Sequence, residues 1–476
     1  MKRLFSTVAA LVFAALCATP GFAQEDQPNI VLVFMDNFGW GEIGAYGGGI
    51  LRGAATPKID RLADEGMMLL NFNVESQCVP SRSAIMTGRY AIRSGTSSVP
   101  LGAGLYGMTQ WEYTMAEMLS DVGYATGMFG KWHLGDSPGR YPTDQGFDEW
   151  FGIPNTTDES FWPDNPLYRP GVHPQVKFAY VMESTRGEAP TEQGLYDSAR
   201  RRTIDREITD QSIEFIERNA ASGQPFFLYV PYTQTHMPVS PHPDYAGITG
   251  NGDYADILRQ IDDYVGELQA AVDRNGIGDN TIFIFTADNG PEGTAPYEGF
   301  SGPWRGTYFT GLEASLRVSF LIRWPGRIPA RSVSNEIVHE TDLFATFANI
   351  AGGRVPDDRI MDSHDMTDFF MGRTDASPRE SVVIYNGAQV YGVKWRDWKM
   401  MMVEIGQMAG EPIGTYPVPL FYNLLQDPKE ERPTRLVPDN LWVRYPASQV
   451  LIDHAATLRA EPPIPPGTPD PYTPGG

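Results

Sequence analysis

NIVLVFMDN, residues 29–37, joins an unbroken apolar run to two polar residues. The run itself, residues 29–35, has the pattern of a strand buried on both faces, as in a parallel sheet. It stops at Asp36. Three further runs end in the same manner. Residues 124–129 (YATGMF) lead to Gly130-Lys131-Trp132-His133, residues 225–232 (PFFLYVPY) to His236, and residues 281–286 (TIFIFT) to Asp288-Asn289. Helix patterns lie between them. Thr56-Pro57 opens one that Gly66 closes, residues 114–123 and 197–219 give two more, and residues 254–275 carry Leu258, Ile261, Val265, Leu268 and Val272 along one face. Alternating strands and helices predict an α/β fold: a mostly parallel sheet sandwiched by helices. Open sheets of this kind bind ligands at the carboxyl ends of their strands. Four polar strand ends therefore predict a single site.

The two Asp-Asn pairs, Asp36-Asn37 and Asp288-Asn289, offer oxygen donors only. That suits Ca²⁺ or Mg²⁺ rather than a thiolate-seeking metal. One such pair is ordinarily a turn or a helix cap; two, each after a buried strand, favour a metal. A lone histidine after a strand is ordinarily a surface residue, so Lys131, His133 and His236 gain weight only as a group.

After about residue 375 the strands become short and turn-separated, over 382–385, 391–395 and 398–403, and residues 445–459 have a helix pattern. This predicts a small C-terminal antiparallel sheet-and-helix subdomain. The chain ends PPIPPGTPDPYTPGG, a composition expected to be disordered. The predicted division is a signal peptide over 1–23, a main α/β domain over 24–375, the subdomain over 376–460 and a Pro/Gly-rich tail over 461–476.

The first 23 residues carry a basic start at Lys2-Arg3, an apolar stretch and a small residue before Gln24, the layout of a cleaved secretory signal. Cys17 follows Leu16 rather than a small residue, which argues against lipidation. The expected location is a periplasm or the extracellular space, with no stable membrane anchor. The formal charge is −22, and loss of the leader leaves 35 basic against 59 acidic residues. A field of that sign repels nucleic acid, so any anion site must be made positive locally.

Cleavage would also leave one cysteine, Cys78, in QCVPSRSAIMTGR, residues 77–89. A lone thiol in an oxidising compartment has no internal disulfide partner. The bland reading is a buried structural cysteine. Its neighbours suggest chemistry instead: Pro80 followed by a helix pattern, whose free N–H groups favour an anion, and the fixed charge of Arg82.

Cys78-Val79-Pro80-Ser81-Arg82 with Thr87-Gly88-Arg89 resembles the signature of the formylglycine-dependent sulfatases, a family of alkaline-phosphatase-like fold. Gly130-Lys131-Trp132-His133-Leu134-Gly135, Thr235-His236-Met237-Pro238 and LFYNLLQDPKEER, residues 420–432, are similar to other family segments. The resemblance covers nearly all of the mature chain. It implies that a formylglycine-generating enzyme oxidises Cys78 in the unfolded chain, and that Asp36, Asn37, Asp288, Asn289 and position 78 bind Ca²⁺, with Mg²⁺ the alternative. It implies a sulfated small molecule or glycan as substrate. The hydrated aldehyde attacks sulfur, aided by Arg82 and the metal; Lys131 neutralises sulfate oxygens; His236 protonates the leaving oxygen. His133 then takes the proton of the second hydroxyl and sulfate departs.

Two departures stand out. The family usually has two aspartates where this chain has Asp36-Asn37. It usually has a lysine in the stretch that here reads GPWRGTYFTGLEASLR, residues 302–317; aligned on Glu313 and Arg317, Tyr308 takes its place. Arg305 is the candidate to restore that charge. Two rival functions are a phosphonate monoester or phosphodiester hydrolase on the same scaffold, and a degenerate binding member without catalysis. Residues 153–202, rich in aromatics, are the candidate cleft wall and suit a sugar or an aryl group equally.

Overall fold

A computed structural model describes residues 27–100, 105–408, 410–434 and 438–474; the predicted leader lies outside them. The strands are β1 Asn29–Met35, β2 Met67–Asn73, β3 Ala125–Lys131, β4 Glu149–Ile153, β5 Tyr180–Thr185, β6 Thr191–Leu195, β7 Phe226–Pro231, β8 Thr281–Ala287, β9 Arg317–Arg323, β10 Ser332–Ser334, β11 Val338–His339, β12 Ser381–Asn386, β13 Gln389–Trp395, β14 Trp398–Ile405 and β15 Ile413–Asn423. The longer helices are α1 Pro57–Glu65, α2 Cys78–Thr87, α3 Met115–Asp121, α4 Ser198–Ser222, α5 Asp253–Arg274, α6 Asp342–Ala351 and α7 Arg444–Ala460.

Eleven strands form the main sheet in the order β10-β2-β9-β8-β1-β7-β3-β4-β5-β6, with β11 paired to β2. Its centre, β8-β1-β7-β3-β4, is wholly parallel. β1 is buried throughout, so its apolar residues serve both faces. Helix α5 packs against both α1 and α4, and α2, α3 and α6 form a second group. β9 runs antiparallel between β8 and β2, and the β5–β6 hairpin extends the far edge antiparallel to β4.

Close approach of backbones sets local sequence beside the site. Gly130 has φ 140°, and a Cβ there would lie 2.0 Å from the carbonyl oxygen of Pro231. Only glycine lets β3 close against β7 immediately before Lys131.

The second sheet, β12-β13-β14-β15, is antiparallel and packs α7 through Val393, Met400, Phe421 and Ala447. It meets the main body at a buried charge network. Glu313 pairs with Lys394 at 2.7 Å, Lys399 at 3.1 Å and Arg317 at 2.6 Å, while Lys399 also reaches Glu430 at 2.7 Å. The expected disorder of the tail is not found. Ile464 donates its N–H to the Arg93 carbonyl, Asp470 pairs with Arg140 at 3.0 Å, and Tyr472 meets the edge of Trp111. Composition alone misses this, because the contacts belong to distant residues that supply the missing partners.

Glu313→Ala should leave Lys394 and Lys399 buried beside an empty space. Breaking a buried ion network in this way costs about 3–5 kcal/mol, readable as a lowered urea midpoint.

Candidate active site

Parallel register brings the strand ends together. Met35 pairs with Ala287, and Phe34 with Pro231. The pairing continues one step beyond: Asp288 N–H donates to the Met35 carbonyl, and Asp36 N–H to the Gln234 carbonyl, both at 3.0 Å. Thr235 N–H returns to the Asp36 carbonyl at 2.7 Å, which brings the loop bearing His236 alongside. β3, on the other side of β7, ends on Lys131. The four predicted strand ends therefore belong to four adjacent strands.

Cys78 is the first residue of α2 and is 2% exposed. Its Sγ lies 3.6 Å from Asp36 Oδ1 and 3.5 Å from Asn37 Oδ1. Arg82, one turn on, donates twice to Asp288 Oδ2, at 3.1 and 2.8 Å, and once to the Lys131 carbonyl at 2.7 Å. Lys131 Nζ pairs with Asp36 Oδ2 at 2.7 Å. His236 Nδ1 lies 2.8 Å from the Met237 carbonyl. A carbonyl only accepts, so Nδ1 carries the proton and Nε2 faces the site, with Thr156 Oγ1 at 3.5 Å. Asn37 and His133 both have left-handed backbones, φ 51° and 63°, held by hydrogen bonds from Asn37 N–H to Asp288 Oδ1 and from His133 N–H to the Pro154 carbonyl. All of the predicted site residues are thus in one buried cluster.

Ligand atoms of Asp36, Cys78 and His236 lie within 4.8 Å of one another, close enough to share an ion. Asn37 Oδ1 adjoins them. Asn289 Oδ1 is buried without a hydrogen-bond partner, an orphan acceptor that a cation would satisfy. Asp36, Asn37 and Asn289 set oxygens beside the thiol and the imidazole, a donor set able to hold a metal ion.

The chain matches the sulfatase family model over residues 28–353. The chain belongs to the sulfatase family. Among its relatives, N-acetylgalactosamine-6-sulfatase of Canis lupus familiaris is 35% identical over 76% of this chain and 70% of that protein. Arylsulfatase G of the same species is 30% identical over 87% of this chain and 82% of that protein. The crystal structure of the PsFucS1 sulfatase from Pseudoalteromonas sp. superposes with a TM-score of 0.88 at 30% identity, covering 93% of each chain. The protein is a sulfuric ester hydrolase of alkaline-phosphatase-like fold, and its substrates are sulfated.

The electrostatics of this sulfatase are those of a balanced cluster. Burial raises the Asp36 pKa, but Lys131, His236 and Arg82 outweigh it and hold the carboxyl well below its usual range. Burial, then Lys131 and Arg82, press His133 well below the usual histidine value, so its imidazole is neutral. Its Nδ1 is buried without a partner. At Cys78 burial and Asp288 push the thiol well above its usual value; Lys131 and Arg82 oppose this and Asp36 adds to it. A plain thiol here is protonated, contrary to what the helix start and Arg82 alone suggest.

Arg305 does not restore the missing lysine. Its guanidinium turns to the second sheet and binds Glu404 at 3.0 Å and the Glu430 carbonyl at 2.8 Å. Tyr308 occupies the aligned position. Burial and the Glu292 carboxylate keep its phenol protonated. Glu292, which the sequence reading passed over, is 1% exposed and accepts from Asn37 Nδ2 at 2.8 Å. The only signal available for it was its place four residues after Asp288.

Lys131→Ala should lower the hydrolytic rate on an aryl sulfate by at least about a hundredfold, the scale of losing one transition-state stabiliser. Tyr308→Phe, which removes a neutral hydroxyl, should cost less. Steady-state rates of the two variants check the order, and a greater loss in Tyr308→Phe would contradict it.

Proposed function

We propose that this sulfatase cleaves the sulfate monoester of a sulfated sugar, with formylglycine at position 78 and a bound Ca²⁺. The observation that supports this best is the convergence of Cys78, Arg82, Lys131, His133 and His236 around Asp36 at four adjacent strand ends. The sugar assignment is supported by relatives that are N-acetylgalactosamine-6-sulfatases.

Asp36, Asn37, Asp288, Asn289 and position 78 would hold the ion. When bound, the ion supplies positive charge that acidifies the oxygen at position 78 and draws in the sulfate. Lys131 neutralises sulfate oxygens, and Arg82, a fixed cation near position 78, favours the ionised hydroxyl there. His236 presents Nε2, while its Nδ1–H rests on the Met237 carbonyl and fixes the ring's orientation. It donates the proton to the departing ester oxygen. His133 is neutral and has a free buried Nδ1, so it accepts the proton of the second hydroxyl at position 78. A protonated thiol offers neither a strong nucleophile nor a second hydroxyl, which is the chemical reason for the aldehyde. A cleaved leader over 1–23 and release to a periplasm or the outside complete the reading, and the lone cysteine fits it. Among the described residues no helix is long and apolar enough to cross a membrane.

Peptide mass analysis of active protein from a host with the converting enzyme should show formylglycine at position 78; only unmodified thiol in active enzyme would refute the reading. Excess chelator should abolish activity and Ca²⁺ should restore it. Aryl sulfate should be cleaved faster than aryl phosphate or phosphonate esters.

A further inference from the structure

Glu292 is a carboxylate in an unusual position. It is 1% exposed, in the loop that follows β8. Its Oε1 accepts from the side-chain amide of Asn37 at 2.8 Å, and the Tyr308 hydroxyl is its other polar neighbour. Among the described residues no lysine, arginine or histidine forms an ion pair with it. The Tyr308 phenol beside it is a neutral donor. A buried carboxylate with only neutral neighbours is costly, unless a positive charge stands nearby. The cation site adjoins: the Asn37 amide that Glu292 holds turns its other end, Oδ1, toward Cys78 Sγ at 3.5 Å and accepts from Asn289 Nδ2 at 2.7 Å.

We propose that Glu292 is a positioning residue of the divalent-cation site, orienting Asn37 Oδ1 toward the ion and restoring, one step outside the ligand shell, the negative charge that Asn37 lacks. The inference rests on the reading of the cluster as a cation site. The amide–carboxylate hydrogen bond explains both parts. An amide has one end that donates and one that accepts. With its NH₂ fixed on Glu292, the carbonyl end of Asn37 must face the ion. An aspartate at 37 would set two carboxylates against each other across the same 2.8 Å contact. The site therefore carries a Tyr308–Glu292–Asn37 group where the family pattern has a lysine and a second aspartate.

The test is calorimetric titration of Ca²⁺ into chelator-treated full-length protein, with circular dichroism as the fold control. Glu292→Gln retains an acceptor for Asn37 but removes the charge; Ca²⁺ affinity should fall about 10- to 100-fold, the range for outer-shell partners of metal ligands. Asn37→Asp should improve Ca²⁺ affinity by a larger factor in the Glu292→Gln background than in the unaltered protein, because there the new carboxylate meets an amide. Unchanged affinity in Glu292→Gln, or an equal effect of Asn37→Asp in both backgrounds, would overturn the proposal. If Glu292→Gln does not fold, Glu292→Asp withdraws the acceptor while keeping the charge, and unchanged affinity there overturns it equally. Absence of Ca²⁺ uptake by the unaltered protein is a different result: it overturns the cation-site reading itself.

Discussion

Asp36 is the group on which the site depends. Its backbone is pinned on both sides, by Gln234 and Thr235, and its carboxylate is shared between Lys131 and the Cys78 side chain. Arg82 completes the arrangement by joining Asp288 to the Lys131 carbonyl. Two carboxylates and two cations are thereby buried together. Each ion would be costly alone in such an interior, and each is stabilised by the others. Remove the Asp36 carboxylate and Lys131 has lost its ion pair, α2 has lost a contact at its first residue, and the loop to His236 keeps only its backbone bonds. Fold and chemistry meet at that one side chain.

The cluster separates the charge felt at position 78 from that of a strongly acidic protein. The formal charge of −22 is a property of the whole surface, whose field is screened over about 8–10 Å at ordinary ionic strength. Position 78 senses instead Lys131 and Arg82, with Asp36 and Asp288 against them. Local balance, rather than total charge, decides what the pocket accepts.

Much of this was legible in the sequence, for reasons that can be named. β1, β7 and β8 are apolar without interruption because both faces are covered, and that pattern is hard to mistake. Parallel register then fixes where the next residues go, so the ends of these strands and of β3, with Asp36, Lys131, His236 and Asp288, fall at one edge of the sheet. β2 and β9 were not recognised: MMLLNFN and RVSFLIR interrupt the apolar run with Asn71, Ser319 and Arg residues. Asn71 and Arg317 find partners outside their own strands: the Asn71 amide donates to the Asn335 carbonyl and Arg317 pairs with Glu313. The β5–β6 hairpin is largely exposed and lacks an apolar signal. Side-chain direction was the other blind spot. Arg305 is near Tyr308 in sequence yet points to Glu404, and Glu292 lies in a Pro-Glu-Gly loop that looks like any turn.

The closure of the tail over the main body has a bearing on biosynthesis. Arg89, just after α2, is bound by Glu461, and Arg93 by Ile464. Both partners come from the last sixteen residues of the chain. Growth from the ribosome is directional, so the segment bearing Cys78 emerges almost four hundred residues before the pieces that clamp it. Chemistry on position 78 that needs an extended peptide, such as the oxidation proposed above, would have that interval of translation in which to act, before residues 461 and 464 arrive and close it like a latch.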